Sequence, residues 1–172
     1  TAEIAVQSAL TGHLVLSTLH TNDAASAFTR LVDMGLEPFL VATSVRAVQA
    51  QRLVRRICPD CCQPAEVLPA VERLVAPLVE AGAPAPLWRK AVGCPRCRGT
   101  GYRGRLGIYE LVDVTPEMQE LVLERATAEK MRQLATAQGG RTLREDGLLK
   151  AMQGLTTIDE VVRVTGGLAG EA

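Results

Sequence analysis

The sequence predicts an α/β fold interrupted by a cysteine-rich insertion, and three observations point there. Aromatic residues make up 3% of the chain and hydrophobic residues 47%, so Leu, Val, Ile and Ala must fill the core, which suits helices on a buried sheet better than an aromatic-rich sandwich. Leu14-Val15-Leu16-Ser17-Thr18-Leu19 is a nearly continuous apolar run, the pattern of a strand buried on both faces of a parallel sheet. All five cysteines and seven of the nine prolines fall between Cys58 and Cys97, which marks that stretch as an insertion.

Taken in order, residues 2–10 carry Ile4, Ala5 and Leu10 at helical spacing and stop at Thr11-Gly12, with Gly in its usual place after a helix end. The apolar run 14–19 follows as a strand. Ala24, Phe28, Leu31 and Val32 then share one face of a helix from Asp23 to Met34 that ends at Gly35. Glu37-Pro38 opens a third helix, expected to run through Val41, Val45 and Val48. Inside the insertion, residues 71–81 suit one short helix, and so small a core calls for a staple. Leu106 to Val112 reads as a strand. Three helices are expected to close the chain, with Thr115-Pro116 starting the first, Thr127 capping the second and Thr157-Ile158-Asp159-Glu160 spaced as a capping box for the last.

A chain of 172 residues holds one full core, or a core with a small satellite. Lys+Arg 19 balances Asp+Glu 19, so no global field favours a polyanion and nucleic acid is not an expected partner. No apolar run is long enough to cross a bilayer, and Thr1-Ala2-Glu3-Ile4 shows neither a signal-peptide pattern nor an initiator Met. A soluble chain cut from something longer is the expectation.

Cys58-Pro59-Asp60-Cys61 and Cys94-Pro95-Arg96-Cys97 are two copies of C-P-x-C, a turn that converges two thiolates on one metal. Together they predict a structural Zn²⁺ site with four thiolate ligands, Cys58, Cys61, Cys94 and Cys97, and the Pro-rich segment looped out between them. Two disulfides are the competing reading, disfavoured by the odd cysteine count and the missing secretion signal. Cys62 lies outside the repeat and takes no ligand role. Arg89, Lys90, Arg96, Arg98, Arg103 and Arg105 form a basic run with no acidic residue between them. That run either offsets the negative charge of a tetrathiolate site or docks a polyanion or acidic surface; few stacking aromatics are nearby, only Trp88 and Tyr102, which favours the first.

Both histidines flank the apolar run, as Thr11-Gly12-His13 and Thr18-Leu19-His20-Thr21-Asn22-Asp23. At the carboxyl end of a parallel strand, His20, Thr21 and Asn22 would sit beside a ligand, where imidazole and hydroxyl groups donate hydrogen bonds to an anion such as a phosphate. Equally, Thr, Asn and Asp there cap the next helix, with the histidines ordinary polar residues. The three lysines, Lys90, Lys130 and Lys150, stand in no G-x-x-x-x-G-K-[ST] context, so this polypeptide alone is not expected to hydrolyse ATP.

Thr1 to Ala24, then Ala50-Gln51-Arg52-Leu53-Val54, the paired C-P-x-C knuckles and Gly101-Tyr102-Arg103-Gly104-Arg105-Leu106-Gly107-Ile108-Tyr109-Glu110 together resemble, in the same order, the type II secretion and type IV pilus assembly ATPases of the secretion ATPase superfamily. The resemblance runs from residue 1 to about 166, and the four thiols favour the secretion and assembly branch over retraction motors. It implies the C-terminal portion of a RecA-like P-loop ATPase domain with an inserted tetracysteine zinc subdomain and a C-terminal helical bundle. Residues 1–57 would be the ATPase core with its His box, 58–97 the zinc insertion, 98–114 a return strand and 115–172 the helical region. The implied protein is a cytoplasmic homo-hexamer, peripheral to the inner membrane and working with inner-membrane platform proteins. It would use ATP and Mg²⁺ to drive pseudopilus assembly and secretion across the outer membrane, or pilus extension. A zinc-knuckle binding module or scaffold without ATPase function is the alternative. By position, His20 would contact the γ-phosphate, His13 would support the same box, and Arg105 and Thr21 would line the nucleotide pocket. The phosphate loop and Walker B acids would lie upstream of Thr1.

Overall fold

The computed structural model describes residues 1–166, so the last six positions of the expected helical region 115–172 lie outside the described residues. Helix α1 spans Ala2–Leu10, α2 Ala25–Asp33 and α3 Pro38–Ser44, followed by the long strand β1, Ala47–Ile57. The cysteine-rich stretch contributes β2 (Gln63–Pro64), α4 (Pro69–Glu80), β3 (Arg89–Lys90) and a 3₁₀ turn, Pro95–Cys97. Strand β4, Tyr102–Asp113, leads to four helices, α5 (Pro116–Leu123), α6 (Ala128–Ala137), α7 (Leu143–Met152) and α8 (Ile158–Thr165).

Two compact units arise, one from Thr1–Gln51 with Glu110–Thr142, the other from Arg52–Tyr109 with the chain from Leu143 on. In the first, α2 packs on α6 and α3 on α5. Their apolar faces bury Ala24, Phe28, Val41, Val112, Met118, Val122 and Met131. Phe28, 1% exposed, alone contributes about 2–3 kcal/mol of burial. In the second unit, α7 packs on α8, and Leu148, Ala151, Met152 and Val161 close a smaller core with Val75 of α4 and Trp88 at its margin. Lys150 of α7 reaches the Gly107 carbonyl at 2.8 Å, and Asp146 accepts the Tyr109 N–H at 2.8 Å, fastening α7 to β4.

Strands β1 and β4 form one two-stranded sheet, β2 and β3 another. The β1–β4 pair is antiparallel: at one end Val114 N–H donates to the Arg46 carbonyl, at the other Cys58 N–H donates to that of Gly101, each at 2.9 Å. The expected parallel sheet is therefore absent among the described residues. The run Leu14–Leu19 forms no strand, and Leu14 and Leu16 stand 86% and 89% exposed. A strand buried on both faces needs neighbours at both edges, and none of the four strands pairs with this run. Composition could show that the run is fit for burial, not what buries it.

Two other boundaries moved. The third helix ends at Ser44, because Val45 turns extended (φ −76°, ψ 130°) and Val48 joins β1, as β-branched residues favour. The C-terminal helices number four rather than three among the described residues. Thr115, Thr127 and Thr157 each accept an N–H from the residue three positions on, at 3.3, 3.4 and 3.2 Å. The capping box at Thr157 is only half formed, since Glu160 directs its carboxylate to arginines instead.

Candidate functional site: a tetrathiol centre and an exposed histidine segment

Each C-P-x-C folds locally into a turn. Cys61 and Cys62 N–H groups donate back to the Cys58 carbonyl at 3.4 and 3.1 Å; in the second knuckle, Cys97 and Gly99 N–H donate to the Cys94 carbonyl at 3.2 and 2.9 Å. Arg98 completes that turn in the left-handed region, φ 54°. The two turns bring the sulfurs of Cys58, Cys61, Cys94 and Cys97 within 4.8 Å of one another.

Individual separations are 4.0 Å for Cys58–Cys94, 3.9 Å for Cys61–Cys97 and 3.7 Å for Cys94–Cys97. A tetrahedron with metal–sulfur bonds of about 2.3 Å has edges of about 3.8 Å, so these thiols fit one tetrahedral ion. They do not fit disulfides, whose sulfurs sit about 2.05 Å apart, and all five cysteines are free. The cluster contains no His or carboxylate, which makes it a closed, structural site rather than a catalytic one with a position left for water.

Backbone dipoles support charge on the sulfurs. Gly93 N–H points at Cys61 Sγ (3.3 Å), and Cys94 and Gly101 N–H point at Cys97 Sγ (3.1 and 3.2 Å). Burial opposes ionisation of Cys97, yet the Cys94 and Gly101 amides outweigh it and hold the thiol down at about 6. Cys61 is pushed up to about 12 by burial, with the neighbouring thiols adding to the rise. Burial likewise raises the Cys58 thiol, with the neighbouring Cys94 adding to the rise. Cys62 is turned out of the cluster, its Sγ near the Pro59 carbonyl at 3.8 Å.

Asp60, inside the first knuckle, accepts from Arg96 at 3.0 Å and lies 3.9 Å from Arg103. Part of the basic run is thus tied to the knuckles themselves. The acidic residue within C-P-D-C, set against a wholly basic run, is the local signal for this pairing.

The predicted nucleotide residues sit elsewhere. His13 lies past the end of α1, its Nδ1 3.2 Å from Thr11 Oγ1 and 3.3 Å from the Ser8 carbonyl. His20 is exposed at the far end of the bare apolar run, and Thr21 is half-buried next to it. Arg105 is exposed on β4, within the second unit. The chain leaving His20 is anchored at once: Asp23 accepts the Ser26 N–H at 2.8 Å, capping α2, and pairs with Arg132 of α6 at 3.6 Å. Glu110, buried on β4, accepts the Ala24 N–H at 2.9 Å, a role with no signal in the sequence because its partner lies 86 residues away.

Comparison with known proteins adds what the geometry alone does not supply. A family model described as "Type II/IV secretion system protein" matches residues 1–163. The chain is 50% identical over 165 residues to the type II secretion system protein E of Pseudomonas aeruginosa, covering 96% of this chain and 32% of that protein. It is 48% identical over 166 residues to the type IV pilus assembly ATPase PilB of Thermus thermophilus, covering 96% of this chain and 18% of that one. Its fold resembles the Legionella pneumophila ATPase DotB, with TM-score 0.59, 20% identity, and coverage of 97% of this chain and 36% of DotB. The chain thus spans a third or less of these curated relatives, and on the family match it belongs to the type II/IV secretion system protein family.

Proposed function

We propose that this chain is the C-terminal part of a hexameric ATPase that works on the cytoplasmic side of the inner membrane and drives pseudopilus assembly for protein secretion. The observation that carries this reading is 50% identity over 96% of the chain to a type II secretion system protein E. None of the described helices is long and apolar enough to cross a membrane. The pilus assembly motor is the second reading, favoured by the 48% identity to PilB.

In this reading Cys58, Cys61, Cys94 and Cys97 hold Zn²⁺, which supplies no chemistry beyond cross-linking the two knuckles. The sequence contains no phosphate loop, so ATP and Mg²⁺ are gripped mainly by the rest of the protein. His20 donates a hydrogen bond to the γ-phosphate, with Thr21 next to it in the chain and His13 steadying the box; the resemblance also assigns Arg105 a nucleotide contact. Loss of that phosphate on hydrolysis removes the charged partner of His20, and the subunit switches between two arrangements. The functional segments remain 1–57, 58–97, 98–114 and 115–172, as the resemblance implies.

The test is His20→Ala in the full-length protein. ATP turnover should fall at least tenfold while the oligomer, followed by sedimentation, is unchanged; unaltered turnover rejects the assignment. Complementation of strains lacking either a secretion or a pilus ATPase separates the two branches, by exoprotein export against twitching.

A further inference from the structure

Helix α2 begins without a capping side chain at Ala24, and the N–H of that wholly buried residue is met by a carboxylate from far along the chain. Glu110 Oε1 accepts it at 2.9 Å. Glu110 is itself only 5% exposed and Ala24 is 0% exposed. An anion at a helix N-terminus is electrostatically favourable, but a local Ser, Thr or Asp normally provides it, and here Asp23 already caps the Ser26 N–H. The first turn of α2 therefore has two acidic caps, one local and one from β4. What distinguishes the β4 cap is its location, four residues after an exposed His20 whose side chain makes no hydrogen bond among the described residues.

We propose that Glu110 is a positioning residue for the His20 segment. Resting on the reading of His20 as the γ-phosphate contact, its carboxylate fixes the backbone at Ala24 against β4 and so limits where Thr21-Asn22-Asp23 can carry the imidazole. Arg132 assists by pairing with Asp23 at 3.6 Å from α6. A phosphate contact must be placed to a fraction of an ångström, and an error of about 1 Å costs up to about 100-fold in rate. His20 has no anchor of its own, so that placement has to come from the chain on either side.

Two variants of the full-length protein decide the matter, because each keeps a polar group in the buried site. Glu110→Gln retains an oxygen that accepts the Ala24 N–H at full reach; Glu110→Asp keeps the charge but withdraws it by one methylene. The expected result is near-parental kcat for E110Q. For E110D, kcat should fall about tenfold with KM for ATP within about twofold, and amide exchange across residues 18–25 should quicken while the melting temperature stays within a few degrees of the parent. Parental kcat in E110D, or equal loss of kcat in both variants, overturns the proposal. His20→Ala run in parallel separates the two failures. If H20A is slow and E110D is not, the phosphate-contact reading stands and positioning by Glu110 falls. If H20A is parental, the phosphate-contact reading falls, and the positioning role in catalysis falls with it.

Discussion

Glu160 of α8, whose side chain is fully buried, takes three hydrogen bonds from Arg55 of β1: from the backbone N–H at 2.8 Å, Nε at 2.9 Å and Nη2 at 2.7 Å. Arg163, one turn on, grips the same carboxylate at 2.8 and 2.6 Å. Arg55 also lies 4.1 Å over the Tyr102 ring, whose hydroxyl meets Thr157 Oγ1 at 2.8 Å. Strand β1, strand β4 and helix α8 are thereby locked by one polar cluster next to the knuckles. A buried carboxylate with every lone pair engaged is tolerated where an unpaired one is not.

Burial alone would push the Glu160 carboxyl up, but the hydrogen bonds from Arg163 and Arg55 outweigh it and hold it at about 2. A depressed carboxylate stabilises the fold above its unfolded value of about 4.3 and loses that contribution as pH falls toward 2. Arg55 and Arg163 side chains are 46% and 58% exposed, so solvent screening limits the effect to about 2 kcal/mol. Glu160→Gln should therefore lower stability by about 2 kcal/mol at pH 7, measured by urea unfolding. The gap from the parent should close between pH 4 and pH 2, since Gln does not titrate.

The sulfur geometry predicts one Zn²⁺ per chain. Metal analysis after purification should find it retained in Cys62→Ser and lost or weakened in Cys58→Ser, Cys61→Ser, Cys94→Ser and Cys97→Ser. Chelation should speed amide exchange in residues 58–64 and 93–101 well before α2, α3 and α5 are affected, because those helices have their own core of Phe28, Val41 and Met118. A metal content unchanged by Cys94→Ser would reject the four-thiolate set.

How much of this was legible in the sequence follows from the range of each interaction. The knuckles were readable because a C-P-x-C turn is decided within four residues, and the threonine caps because each bond spans three. Arg55–Glu160 and Glu110–Ala24 span 105 and 86 residues, and nothing local distinguishes those glutamates from exposed ones. The run Leu14–Leu19 misled for a related reason: apolar continuity states a preference for burial, while the presence of flanking strands is a property of topology. Val48 keeps helical spacing with Val41 and Val45 yet belongs to β1, because such spacing also fits positions where a helix hands over to a strand.

Glycines in the second knuckle should differ sharply in tolerance. A Cβ at Gly93 would lie 2.5 Å from the Gly99 carbonyl oxygen, and one at Gly101 would lie 2.6 Å from Ala91 Cβ, each at positive φ. Gly99, also at positive φ, has open space around its missing Cβ. Gly99→Ala should cost about 1 kcal/mol from backbone strain alone. Gly93→Ala and Gly101→Ala add a clash with backbone or a rigid methyl, and should also weaken Zn²⁺ retention in competition with a chelator; equal behaviour of all three would contradict the close approach.

Gly147 sits in the middle of α7, where glycine costs about 1 kcal/mol relative to alanine. Helix propensity alone therefore predicts that Gly147→Ala stabilises the protein. The packing predicts the opposite, because a Cβ there would lie 2.7 Å from Val161 Cγ1 and 3.2 Å from Cγ2. Val161 is fully buried in the core shared by α7 and α8, so its methyls have little room to yield, and overpacking of this kind costs about 1–3 kcal/mol. The net expectation is a loss of up to about 2 kcal/mol in chemical denaturation. The double variant Gly147→Ala with Val161→Ala distinguishes the causes: if the α7–α8 contact is responsible, the added Cβ should be neutral or stabilising once the valine methyls are gone, whereas a backbone cause would leave its cost unchanged.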